Sequence, residues 1–131
     1  MSGTFRGAAA LSLALCLAIQ AGPALAQHMN ADIFYQRALK LKKKGPLAMF
    51  SAGEVKVLLK EVKAAGNLVK QTRIAAEKAG GRGRYCPPKG SKRMGSEEYI
   101  DALAAMPASE RKAIDLAEAT TRMMEKKFPC R

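Results

Sequence analysis

Between Ser51 and Ala79 the apolar residues keep a helical period broken by nothing stronger than one glycine, and that run sets the class of fold open to the chain. Val55, Leu58, Leu59, Val62, Ala65, Val69 and Ala76 fall near one side of a helix. Ser51, followed three residues later by Glu54, forms the S-x-x-E pattern of a capping box at its start, and Gly80-Gly81 stops it. Gly66 is a local weakness worth about 1 kcal/mol relative to Ala. Lys56, Lys60, Lys63, Lys70 and Arg73 recur on the other side as a basic stripe, a pattern shared by solvated faces and by binding surfaces.

The rest of the chain follows the same period. Asn30 is available as an N-cap for a first helix over 31–43, with Ile33, Phe34, Ala38 and Leu41 near one face. Gly45-Pro46 ends it, leaving Lys42, Lys43 and Lys44 at its C-terminus, where cations meet the helix dipole favourably. Ser96 can cap a short third helix through Tyr99, Ile100, Leu103 and Met106, closed by Pro107. Ser109 opens a fourth, with Ile114, Ala117, Thr121, Met124 and Phe128 recurring along it. No strand-like alternation or hairpin turn signal appears. The expectation is an all-α fold, a small four-helix domain ending in a helical hairpin.

Arg6, the apolar stretch from Ala8 to Ile19, the breaker Gly22-Pro23 and Ala24-Leu25-Ala26 before Gln27 read as a secretory signal peptide over 1–26, removed after Ala26. Twelve residues of helix rise about 18 Å against roughly 30 Å of hydrocarbon, too short for a retained span. Cys16 within it is apolar filler. Residues 27–131, 105 of the 131, then form a single helical domain with a modest stability margin. Cys86 and Cys130 are left as an even pair, and in an oxidising periplasm or extracellular space such a pair is most simply a disulfide. Closing that loop is worth on the order of 4 kcal/mol. The ten residues from Cys86 to Gly95 can bridge the roughly 13 Å length mismatch of the C-terminal hairpin at about 3.3 Å per residue.

Charge is divided unevenly. Residues 27–93 hold 16 Lys or Arg against Asp32, Glu54, Glu61 and Glu77, a net +12, whereas residues 94–131 hold 6 against 7, a net −1. A field of this size attracts polyanions and acidic protein surfaces. Catalysis has little to work with: the lone His28 lies beside the expected new N-terminus with nothing to orient it. There is no C-x-x-C or H-x-x-x-H spacing for a metal and no glycine loop after a strand for a phosphate. The expectation is a protein that is no enzyme, uses no cofactor and acts by binding.

The segment Gly80-Gly81-Arg82-Gly83-Arg84-Tyr85 is the most flexible in composition, read either as a linker or as a short contact arm. Arg82, Arg84, Tyr85 and Lys89 are the candidate partner contacts, because a loose loop would leave one ring and its neighbouring cations free to enter a cleft.

Tyr85-Cys86-Pro87-Pro88, a short helix with Tyr99, Ile100 and Leu103, a proline turn at Pro107, and a helix ending in Phe128-Pro129-Cys130 resemble the Rap/Tai family of periplasmic immunity proteins. The resemblance spans Tyr85 to Arg131 and carries over Cys86, Pro87, Phe128, Pro129 and Cys130 as structural residues. It implies a small, helical, disulfide-bridged periplasmic protein, associated with type VI secretion, that blocks a peptidoglycan amidase delivered by another cell. The alternative is a basic periplasmic module for polyanions such as lipopolysaccharide, anionic lipid or nucleic acid. Self-association as a homodimer stays open.

Overall fold

The computed structural model describes residues 28–131. The expected signal peptide over 1–26 lies outside the described residues. The described chain is all-α: α1 (Ala31–Lys44), a 3-10 turn (Gly45–Ser51), α2 (Ala52–Lys78), an extended connector, α3 (Ser96–Ala104), and a fourth helical arm in two pieces, α4 (Ala108–Ala113) and α5 (Leu116–Lys127).

The core forms where α2 lies against α5 and where α1 meets α3 and α4. Phe34 of α1 meets Tyr99 of α3 edge to face at 5.9 Å. Leu58, Ala65 and Val69 are the buried residues of α2, and Leu103 and Leu116 are wholly inside. Edge-to-face rings contribute beyond the area they bury, and small residues such as Ala65 and Ala119 let the helices approach closely. The Tyr99 hydroxyl lies 2.6 Å from Thr120 Oγ1, which is also 2.6 Å from the Leu116 carbonyl. Thr120 has one proton and gives it to that carbonyl, so Tyr99 is the donor to Thr120. Burial pushes the Tyr99 phenol up to about 12.

Local signals account for some helix ends, though neither Ser96 nor Ser109 caps as expected: Gly95 and Pro107 hold the N-cap positions of α3 and α4, without a side-chain bond. The Asn30 side chain accepts from the amides of Asp32 and Ile33, as expected of an N-cap. At the end of α2, Gly80 (φ 80°) donates to Glu77 and Gly81 donates to Ala76, the paired bonds of a Schellman motif that needs a left-handed residue at Gly80. The capping box at Ser51 does not form. Ser51 makes no side-chain cap, because the 3-10 turn runs directly into α2 and occupies the entry where a cap would sit. Its hydroxyl instead accepts from Lys44 Nζ at 2.8 Å, while Glu54 turns to Arg37 with bonds of 2.6 and 2.7 Å.

The last arm breaks at Ile114 and Asp115 for a tertiary reason. Asn30 donates its amide to the carbonyls of Lys112 and Ile114, Ala31 N–H donates to Ile114, and Leu116 N–H donates to Met29. These bonds take backbone groups that a continuous helix would use itself. Asp115 then recaps the chain, accepting from Glu118 N–H at 2.8 Å. The restart moves the buried face to Leu116, Ala119, Thr120 and Met123, leaving Thr121 and Met124 only partly covered.

Arg111 is the charged residue most deeply committed to the fold. It donates to Asp32 at 2.9 Å and to the carbonyls of Leu103 and Met106, and its guanidinium lies 4.3 Å from the Tyr35 ring centroid. One cation thereby joins the first turn of α1 to the end of α3 and to α4.

Candidate interaction surface

Cys86 and Cys130 are joined, with Cα atoms 4.9 Å apart, and Cys86 N–H donates to the Phe128 carbonyl at 2.8 Å. Pro87, Phe128 and Pro129 flank that junction in sequence, with Phe128 packed against the core and Pro129 exposed. The bridge pins the connector to the C-terminal end of α5, and its position decides what the preceding segment can do.

That segment is no free arm. Tyr85 is 4% exposed and packs into the core, with the Arg73 guanidinium of α2 5.5 Å from its ring centroid. Arg84 is held by two carboxylates of α5, donating to Glu118 at 2.7 Å and to Glu125 at 2.7 Å. Hydrogen bonds to Glu118 and Glu125 push the Arg84 pKa up, and Arg84, then Arg122, holds Glu118 below the ordinary carboxylate value. Gly83 is buried beside α2, where an added Cβ would lie 2.5 Å from Arg73 Cγ. The expectation of a loose loop with a ring free to reach a partner is therefore corrected for Tyr85, which the core takes in, while Arg84 stays exposed but tied to Glu118 and Glu125. Arg82 stays exposed, reaching the main-chain oxygen of Arg131 at 3.3 Å, and Lys89 is exposed on the connector. Arg82, Arg84 and Tyr85 do share one cleft of about 340 Å³ between α2 and α5, with Arg73 and Glu118 on its walls; Lys89 is not part of it. With Arg73 bonded to Glu77 and Arg84 to Glu118 and Glu125, the cleft is near neutral.

The uncompensated charge lies elsewhere. Lys56, Lys60, Lys63 and Lys70 are exposed along α2, opposite Leu58, Ala65 and Val69, and among the described residues none lies within ion-pair distance of a carboxylate. Lys43 and Lys44 at the end of α1 likewise have no carboxylate partner there, and Lys42 meets Glu97 at 3.5 Å in an exposed pair. The acids of the C-terminal half are engaged by cations of both halves. Glu98 pairs with Lys127, Glu110 with Arg122, Glu118 with Arg84 and Arg122, and Glu125 with Arg84.

The turn between α1 and α2 carries a surface that the helical periodicity does not reveal. Leu47, Met49 and Phe50 are 63, 83 and 89% exposed, and Leu59 of α2 is 60% exposed beside them. Ala48, Met49, Ala52, Val55 and Leu59, with Lys56, line an open apolar trough of about 460 Å³. The available signal was the run Pro46-Leu47-Ala48-Met49-Phe50, apolar but too short and too close to Gly45 to join either helix face. Among the described residues no helix is long and apolar enough to cross a membrane. No protein-family model, curated protein or solved structure matches the chain.

Proposed function

We propose that the chain is a periplasmic binding protein of the immunity type, without catalysis of its own, that covers the active-site groove of a peptidoglycan amidase with its basic α1–α2 face. The observation that carries this reading is the division of charge. Five of the seven carboxylates in residues 94–131 are committed to ion pairs, whereas the α2 lysines are exposed without one among the described residues. Such a surface is complementary to an acidic protein and speeds encounter through steering. Cys86, Pro87, Phe128, Pro129 and Cys130 gather around one bridge, in keeping with the framework resemblance.

A basic module for polyanions is the second reading, favoured by the same unpaired lysines taken alone. The two differ in salt response, since diffuse phosphate contacts lose affinity steeply with salt and an anchored protein interface much less. The test is affinity purification of the tagged chain from its own cells at low and then high salt, with bound species identified by mass spectrometry. The immunity reading expects a stoichiometric amidase that survives the high-salt wash. Lipopolysaccharide, lipid or nucleic acid released by salt, with no amidase, would replace it with the second.

A further inference from the structure

The turn Gly45–Ser51 buries none of its residues, and it turns Leu47, Met49 and Phe50 outward. An isolated exposed leucine is ordinary, but three large apolar side chains on one seven-residue turn, continued by the trough along Met49, Val55 and Leu59, form a contiguous apolar tip. Cations border it on both sides in the chain: Lys43 and Lys44 lead into the turn, with Lys42 beside them paired to the exposed Glu97, and Lys56, Lys60 and Lys63 follow it on α2. The carboxylates of the same stretch are engaged inward, Glu54 with Arg37 and Glu61 with the Met29 amide.

We infer that this tip docks on an anionic phospholipid bilayer, with Leu47, Met49 and Phe50 entering the interface and the lysines meeting lipid phosphates. The combination of an exposed apolar tip with bordering cations favours this occupant. A second copy seated on the same patch would bring lysines against lysines, which is repulsive. A bilayer supplies both complements at the right depths, hydrocarbon for the tip and phosphate for ammonium groups on long apolar stems. The 27 residues of α2 span about 40 Å, so a domain seated by this end holds Lys70 and the far end of α2 away from the lipid. The inference does not rest on the amidase reading, since Leu47, Met49 and Phe50 take no part in it, although Lys56, Lys60 and Lys63 belong to the face used in both.

The chain contains no Trp, so Phe50→Trp adds a single fluorescent reporter at the most exposed ring. The 131-residue chain is expressed, the accumulated form is purified, and it is mixed with vesicles of phosphatidylethanolamine plus phosphatidylglycerol or of phosphatidylcholine alone. The expected result is co-flotation with the anionic vesicles only, together with a blue-shifted emission. Replacing Leu47 and Phe50 together by Ser should weaken partitioning at least tenfold, with thermal unfolding unchanged because both side chains already face solvent. Replacing Lys43 and Lys56 by Gln should weaken it about fivefold for each.

Co-flotation without a blue shift, or a Leu47/Phe50 double variant that floats like the parent, would reduce the contact to charge alone and overturn the inference. Equal binding to phosphatidylcholine would overturn it as well. So would a double variant that keeps its vesicle binding but loses an acidic protein partner, because the tip would then be a protein-docking surface. Loss of vesicle binding in that variant with amidase capture intact would support the lipid contact and leave the immunity reading standing.

Discussion

Replacing Arg111 by Met should be among the most damaging single changes to the domain. Asp32 and Arg111 are 13% and 8% exposed at their side chains, and the guanidinium also satisfies the carbonyls of Leu103 and Met106. Methionine keeps an apolar stem over the Tyr35 ring but leaves a buried carboxylate and two carbonyls unpartnered. Removing one partner of a buried ion pair costs about 3–5 kcal/mol. For a domain of this size, each 1 kcal/mol lowers Tm by roughly 4–8 °C, so the expected drop is about 12–40 °C. Urea unfolding followed by circular dichroism measures it, with an unchanged m-value showing that the loss belongs to the native state. Adding Asp32→Asn to Arg111→Met should restore about 2 kcal/mol, because the uncompensated charge is gone. A loss below about 1 kcal/mol for Arg111→Met, or a double variant no better than the sum of the two singles, would refute the account of this pair.

Three further expectations follow from the same contacts. Reducing the bridge, or changing Cys86 and Cys130 to Ser, should cost on the order of 4 kcal/mol for a separation of 44 residues, measured as the shift in urea midpoint with and without reductant. Gly83→Ala should destabilise by about 1–2 kcal/mol in thermal melts, since its Cβ forces Arg73 away from the Tyr85 ring; an unchanged midpoint would mean that Arg73 moves freely. Tyr99, pushed up to about 12 by burial, should ionise well above the ordinary phenol value in an ultraviolet titration. Because its folded value is raised, its contribution is complete below the unfolded value of about 10 and is lost as pH rises from there through 12, a loss that Tyr99→Phe should abolish.

What could be read from the chain divides along the line between local and tertiary causes. Asn30 as a cap, Gly80-Gly81 as a stop and the Cys86–Cys130 pair depend on nearby residues or on thiol count, and all three appear in the structure. Ser51 shows how a correct local pattern loses to its setting, because a turn placed directly before α2 draws Ser51 to Lys44 and Glu54 to Arg37. The break at Ile114 comes from pairing with residues 29–31, more than eighty positions away, although Asp115 followed by Glu118 was a usable restart signal. Arg111 left no trace in the periodicity, since a charged residue on a short helix looks solvated until its partner is known. The candidate site divides in the same way. The lysines of α2 were visible from their spacing, whereas the fate of Tyr85 and Arg84 was set by Arg73, Glu118 and Glu125, on two different helices.

The most direct test of the central claim is peptidoglycan hydrolysis by the amidase captured with this chain, followed as the chain is added back in rising amounts. An occluding protein should lower hydrolysis linearly to zero near one equivalent, and should hold it there at high salt. Hydrolysis that continues at several equivalents would contradict the proposal, because a partner bound away from the active-site groove leaves the groove open.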